Sequence, residues 1–182
     1  MKSRKVAVLV ALFAITFTSF SFAQNPMVGG HDMSPTKNII QNAVNSDDHT
    51  TLVAAVKAAG LVDTLRGPGP FTVFAPTNEA FAKLPAGAVD NLLQPENRDQ
   101  LTKVLTYHVV AGRLTSNDLR KKIKEGHGTA ELTTVEGGKL EAMMEGGNMV
   151  LKDEKGGTAT VTIPDVMQSN GVIHVLDGVL LP

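Results

Sequence analysis

Five histidines are the residues of this chain best suited to acid–base or metal chemistry, because imidazole titrates near neutral pH and ligates metals. They are His31, His49, His108, His127 and His174. None has the HxxxH or HExxH spacing that puts two metal ligands on one helix face. His108 follows Tyr107 at a predicted helix-to-strand junction, and His174 lies on an apolar strand face. A single histidine in such a place is typical of a neutral core residue.

The serines do not indicate a nucleophilic enzyme, which would need a serine held against a base. The serines beyond residue 23 are Ser34, Ser46, Ser116 and Ser169. None stands in a GxSxG turn. Asp165, Ser169 and His174 are close in sequence, but sequence order alone does not position them for catalysis. The chain also lacks the GxGxxG and GxxxxGK(S/T) loops that cradle nucleotides. We therefore predict that the protein is not an enzyme.

A third candidate is a soft-metal site near the N-terminus. Met27, His31 and Met33 carry thioether and imidazole groups, which suit copper. They lie in residues 24–33 (QNPMVGGHDM), which contain Gly and Pro and have little to bury, so a flexible leader is predicted. Because such a leader supplies no supporting side chains, we predict no metal site and no cofactor.

Residues 1–23 have the composition of a signal peptide. Lys2, Arg4 and Lys5 precede an almost uncharged apolar run, and Ala23 ends a small-residue cleavage site. An uncut membrane anchor is the alternative, but the apolar run is short for a stable span. We expect an exported protein, periplasmic or extracellular, with no membrane span after cleavage. The chain contains no cysteine, so disulfides are not expected.

Charge and length describe a single, mildly acidic domain at residues 34–182. The signal segment holds three of the 17 basic residues and none of the 18 acidic ones, so 14 basic residues face 18 acidic ones after cleavage. This balance argues against nucleic acid as a partner. A small basic cluster follows a short helix predicted to end at Leu119, and it is interpreted as a solvated helix end. Its members are Arg120, Lys121, Lys122 and Lys124.

Hydrophobic spacing predicts helices and one strand before residue 130, and many short strands after it. Ser34 is the expected N-cap of the first helix, and Gly60 the stop of the second. Residues 71–75 read as an interior strand that ends at a proline, with Thr77 capping the next helix. Asp177 and Gly178 predict a tight turn into a last strand. This order indicates an α+β fold.

Three segments of the chain, in order, resemble the fasciclin-like domain family. They are residues 71–81 (FTVFAPTNEAF), 105–112 (LTYHVVAG) and 170–182 (NGVIHVLDGVLLP). They look like the family's first conserved box, its Tyr-His motif and its second conserved box. The resemblance covers residues 34–182, and three ordered motifs are far more specific than one short pattern. The chain is similar to bacterial secreted members with a single domain.

The resemblance implies a wedge of two β-sheets with a covering cluster of helices, and no catalytic centre. It also implies a binding and adhesion module whose partner is a protein or glycan at a cell surface, matrix or host. In animal members, two segments are implicated in integrin binding. The matching positions here are Tyr107, His108, Pro164, Asp165 and Met167. Ile163 stands where the animal segment has Glu, so the match indicates a position and not a partner. A buried structural role explains Tyr107 and His108 equally well.

The alternative function is a periplasmic carrier of a small apolar or metal-containing ligand such as haem. The methionine and histidine content motivates it, because both side chains serve as ligands to soft metals and haem iron. In either case we expect a monomer.

The export prediction can be tested at the cleavage site. Intact mass spectrometry of the exported protein should show a chain that begins at Gln24. Ala23→Leu should leave the precursor uncut, because the residue before the cut must be small. Phe22→Leu, one residue earlier, should be processed normally. A precursor of full length in the wild type would contradict the prediction.

Overall fold

A central β-sheet organises residues 25–182, which are the residues that the computed structural model describes. The predicted signal peptide, residues 1–23, lies outside them. The strands are β1 (Met27–Val28), β2 (His31–Asp32), β3 (Phe71–Pro76), β4 (Val109–Ala111), β5 (Thr129–Thr133), β6 (Lys139–Glu145), β7 (Asn148–Lys152), β8 (Thr158–Gln168) and β9 (Gly171–Leu176). The helices are α1 (Ile39–Ala43), α2 (Thr50–Ala59), α3 (Val62–Arg66), α4 (Asn78–Ala82), α5 (Ala88–Leu92), α6 (Arg98–Tyr107) and α7 (Ser116–Glu125). Two 3₁₀ turns occupy Asp47–His49 and Pro95–Asn97.

The strand order of the large sheet is β4-β3-β9-β8-β7-β6-β5. Strands β3 and β9 pair in parallel, and the other neighbours pair antiparallel. The long strand β8 pairs with β7 through its first residues and with β9 through the rest, so it belongs to two sheets at once. A bridge between Val110 and Thr134 brings the two outer ends together. This is the predicted wedge of two sheets, and the α+β fold class is confirmed.

Two separate cores lie on the two faces of β3 and β9. Val73 and Ile173 point into a core covered by α1, α2, α3 and α6, which we call the helical core. Phe74 and Leu176 point into a second core, closed by α7 and the strands β5 to β8. Because successive strand residues face opposite sides, both faces of these strands must be apolar. The predicted interior position of β3 is confirmed by its burial.

Local capping signals place several helix ends as predicted. The Thr77 Oγ1 accepts a hydrogen bond from the Ala80 N–H at 3.2 Å, which caps α4. Gly60 adopts φ +74° just after α2, a conformation that suits glycine. By contrast, α1 begins after Asn38 and not at Ser34, because Asn38 and Gln41 form a reciprocal capping box.

Two further expectations about elements are wrong. Helix α7 runs to Glu125, so the basic cluster lies within the helix and not after its end. No strand follows β9 in residues 177–182: the Asp177 carboxylate accepts the Thr160 N–H at 2.7 Å, and Leu180 is buried in the second core. These last residues form an irregular segment, held by bonds from the Leu180 N–H to His108 Nε2 and from the Leu181 N–H to the Asp153 carboxylate.

Residues 25–33 also differ from the predicted flexible leader. Strands β1 and β2 pair antiparallel, and Val28 and Met33 are buried in the helical core. The Asn25 side chain accepts the Met167 N–H at 3.0 Å and donates to the Met167 carbonyl at 2.7 Å, as a neighbouring strand would. The prediction that this segment has little to bury is therefore wrong, because Val28 and Met33 are both buried.

Asn170 ties three parts of the fold together from the turn between β8 and β9. Its Oδ1 accepts the Ile39 N–H at 3.0 Å, at the start of α1. Its Nδ2 donates to the carbonyls of Leu65 and Gly67, both at 2.8 Å, at the end of α3. The residue is 7% exposed, so water cannot readily replace these bonds.

Asn170→Ala should destabilise the fold by about 3 kcal/mol, because it leaves one N–H and two carbonyls without partners. Urea denaturation at pH 7.5 measures the change. Asn45→Ala is the matched control, since Asn45 is exposed and donates to the Gln41 carbonyl at 3.0 Å. It should cost less than about 0.5 kcal/mol. Equal costs for the two variants would contradict the role of Asn170.

Candidate functional site

An irregularity in β8 exposes part of the predicted binding segment. The pairing of β8 with β9 slips between Ile163 and Val166. Pro164 has no N–H to give to a ladder, and it is exposed. Asp165 follows with φ +59°, a left-handed conformation that is uncommon for residues other than glycine. The two residues form a bulge on the surface of the molecule.

Hydrogen bonds from the Asp165 carboxylate hold this bulge against α7. Asp165 Oδ1 accepts the backbone N–H of Ser116 at 2.6 Å, and Oδ2 accepts the Ser116 hydroxyl. Ser116 is the first residue of α7, where unpaired N–H groups and the helix dipole favour a negative charge. The carboxylate therefore stabilises both the bulge and the start of the helix.

The backbone of Asp165 is fixed by His174. The Asp165 N–H donates to His174 Nδ1 at 3.2 Å, and His174 Nε2 donates to the Leu114 carbonyl at 2.8 Å. These partners assign a neutral ring with its proton on Nε2. The ring is fully buried and stacks on Phe74, with centroids 5.6 Å apart. Burial lowers the pKa of His174, while bonding to Leu114 and the charge of Asp165 oppose that shift. The prediction of a neutral core histidine matches this geometry.

These contacts leave no catalytic pair among Asp165, Ser169 and His174. Both ring nitrogens of His174 bond to backbone groups, so the ring is not placed to deprotonate a serine. Ser169 is exposed, and its N–H donates to the Lys37 carbonyl. The carboxylate of Asp165 bonds to Ser116 instead of orienting the imidazole. The arrangement holds a surface shape and does not activate a nucleophile.

Tyr107 is fully buried at the end of α6. Its hydroxyl donates to the Lys139 carbonyl at 2.6 Å and accepts the Glu154 N–H at 3.2 Å. It thereby ties α6 to the start of β6 and to the turn between β7 and β8. Burial raises the pKa of Tyr107, and the bond from Glu154 partly offsets that rise.

His108 is 3% exposed and has two backbone partners. Its Nδ1 donates to the Val104 carbonyl at 2.8 Å, and its Nε2 accepts the Leu180 N–H at 3.1 Å. Burial lowers the pKa of His108 to about 4, although the bond to Val104 and the charge of Asp153 raise it. The neutral ring therefore anchors the C-terminal segment to α6.

The structure divides the five predicted site residues into two groups. The side chains of Tyr107 and His108 lie inside the molecule, so they do not form a surface for direct partner contact. Their role is the structural one that the sequence also allowed. Pro164, Asp165 and Met167 lie at the bulge, with Pro164 exposed and the other two half-buried. Phe74 connects the two groups. Its N–H donates to the His108 carbonyl at 2.9 Å, and its ring stacks on His174, which in turn bonds to Asp165.

The soft-metal candidate does not assemble as a cluster. Met33 is buried in the core while Met27 is 58% exposed, so their side chains lie in different environments. His31 instead lies 3.4 Å from the Asp47 carboxylate. Among residues 25–182, no group of three or more His, Cys, Asp or Glu side chains could hold a metal ion.

A third buried histidine, His49, lies where the first 3₁₀ turn meets the start of α2. His49 is 3% exposed, and its Nδ1 lies 2.8 Å from the Ser46 hydroxyl. Its Nε2 is buried without a hydrogen-bond partner. His49 precedes the buried Leu52 and Val56 by three and seven residues, which is the spacing typical of one helical face. That periodicity was the available signal for an inward histidine.

Comparisons with known proteins show which family the chain belongs to. The sequence model of the Fasciclin domain matches residues 47–182. The chain belongs to the fasciclin family. It is 48% identical over 144 residues to Protein sll1483 of Synechocystis, covering 79% of this chain and 73% of that protein. It is 46% identical to the Synechocystis protein sll1735, covering 79% of this chain and 97% of that one. The resemblance to single-domain bacterial members is confirmed.

A solved structure shows the same fold. It is the FAS1 domain pair of the insect cell adhesion molecule Fasciclin I, with a TM-score of 0.72 and 23% identity. The likeness covers 80% of this chain and 51% of that one, so one domain of the pair corresponds to the fold seen here. Within residues 25–182, no helix has both the length and the apolar character needed to cross a bilayer.

The buried histidines predict that the fold weakens in mild acid. The pKa of His108 is about 4 in the folded state and near 6.5 in the unfolded state, so the unfolded chain binds more protons between these values. Stability from the neutral ring is complete above about pH 6.5 and falls as the pH decreases towards 4. Burial lowers the pKa of His49 and His174 in the same direction.

Between pH 7.5 and pH 5, His108 alone should account for a loss of about 2 kcal/mol in the free energy of unfolding. Urea denaturation at both pH values measures it. His108→Gln should reduce the difference by that amount, because glutamine does not titrate. His127→Asn is the control, since His127 is exposed and asparagine tolerates its φ of +58°. An unchanged pH dependence in His108→Gln would contradict the assignment.

Proposed function

We propose that this protein is an exported, non-enzymatic binding and adhesion module, whose partner is a protein or glycan at a cell surface, matrix or host. The observation that carries the proposal is the Pro164–Asp165 bulge, an exposed feature held in a strained backbone conformation by buried polar groups. A strained residue persists where its surroundings over-determine it, and such residues cluster at functional sites. Here the surroundings are Ser116 and His174.

The surface at the bulge suits partner contact. Pro164 is exposed, and Ile163 and Met167 are half-buried, so apolar area remains in contact with water. The exposed Arg113 lies at the end of this segment, where its Nη2 donates to the carbonyl of Gln168, the residue after Met167, at 3.0 Å. Arginine and methionine are enriched at protein interfaces. These features support a contact surface made of Pro164, Met167 and Arg113, with Asp165 as the residue that fixes its shape.

A rigid bulge lowers the cost of binding. A loop that becomes ordered on binding loses conformational entropy, whereas one already fixed by internal hydrogen bonds does not. The Asn25 amide also fixes the backbone of Met167 on both sides. Membership of a family that contains the insect cell adhesion molecule Fasciclin I supports an adhesive role.

A pull-down from envelope, matrix and host-surface extracts, followed by titration of the captured partner, tests the function. Met167→Glu should weaken binding at least about tenfold, because it places a charge in a partly buried apolar contact. Its backbone bonds to Asn25 remain, so the melting temperature should change little. Met144→Glu is the matched control on β6, where Met144 is 37% exposed and distant in sequence from the bulge. It should bind as the wild type does.

Asp165→Asn provides a second arm of the same experiment. It weakens the charge-assisted bonds to Ser116, so the variant should lose affinity together with about 1–2 kcal/mol of stability. Equal binding by Met167→Glu and Met144→Glu would remove the bulge as the contact surface. A preparation with no saturable partner and a measurable catalytic turnover would contradict the function itself.

A further inference from the structure

An apolar cavity lies in the helical core, between the helices and β3–β9. Its volume is about 70 Å³. Its lining includes Ile39, Val56, Leu65, Val73, Ile173 and His49. Lys57 and Val135 also line it, and both are exposed, so the cavity extends from the core to the surface. A ligand could therefore enter without unfolding the domain.

His49 supplies a single buried polar atom whose bonding capacity is unused. Ser46 occupies Nδ1, and Nε2 has no partner although the residue is 3% exposed. The Ala75 carbonyl lies near enough to the ring to favour its charged form, yet it completes no hydrogen bond with Nε2. An unsatisfied buried nitrogen costs free energy, and an occupant that bonds to it would recover that cost.

We propose that this cavity binds a small neutral aliphatic alcohol, with the alkyl chain against the apolar lining and the hydroxyl on His49 Nε2. A hydroxyl both donates and accepts, so it matches either neutral tautomer of the ring. A carboxylate would have to be buried without a cation, which is far more costly than burying a hydroxyl.

The volume sets the size of the ligand. An engineered apolar cavity of about 150 Å³ takes up benzene, and this cavity has about half that volume. A slim chain of four or five heavy atoms fits better than an aromatic ring, and a haem is far too large. The metal-containing form of the carrier alternative is therefore not supported by this cavity. An apolar ligand remains compatible with it.

Titration with 1-butanol, followed by NMR of the imidazole nitrogens and the isoleucine methyl groups, tests the proposal. Saturable shifts should appear at His49 and Ile39. n-Pentane is the matched probe, because it has the same number of heavy atoms and no hydroxyl. His49→Leu should weaken 1-butanol binding about tenfold and leave n-pentane binding unchanged. His31→Leu, at an exposed histidine, should bind both probes as the wild type does.

Ala43→Leu gives a second variant should His49→Leu fail to fold. Ala43 is a half-buried lining residue, and a larger side chain there should block both probes. Three results would overturn the proposal. They are no saturable binding of 1-butanol, equal 1-butanol affinity in His49→Leu, and an ordered water on Nε2 that 1-butanol does not displace.

Discussion

The parallel pairing of β3 with β9 is the constraint on which the rest of the structure depends. It joins Phe71 to Gly171 and continues through Pro76 and Leu176, across about a hundred residues of sequence. The backbones approach so closely at its start that a Cβ on Gly171 would collide with the Phe71 carbonyl. Residues that lie between the two strands in sequence must fold around this pair, which separates the helical core from the second core.

Because both faces of β3 and β9 are buried, a polar side chain on these strands needs a hydrogen-bond partner inside the protein. His174 lies within β9, so its two nitrogens must find partners inside the protein, and they find Asp165 and Leu114. The Asp165 N–H is available because the bulge removes it from the β8–β9 ladder. The buried His174 therefore holds the backbone of the bulge at Asp165, and so it helps to determine the shape of the exposed surface at Pro164.

The parts of the fold that could be predicted from sequence are those set by local chemistry. The Thr77 cap, the Gly60 stop and the interior strand β3 depend on neighbouring residues and are correct. The hairpin β1–β2 is missed because its order depends on contacts of Asn25 with Met167, 142 residues away. The Asp165 bulge likewise needs Ser116, 49 residues distant. Partners that remote leave no local pattern.

The same reasoning explains why the recognisable motifs do not mark the proposed contact surface. Tyr107 must fit a closed site and satisfy a donor and an acceptor at once, and His108 must do the same. Few side chains meet such joint requirements, so these positions carry a distinctive sequence pattern. Exposed Pro164 and half-buried Met167 face fewer internal requirements, and their side chains can differ without loss of the fold. The three motifs therefore identify the scaffold, whereas internal packing constrains Pro164 and Met167, in the proposed contact surface, less tightly.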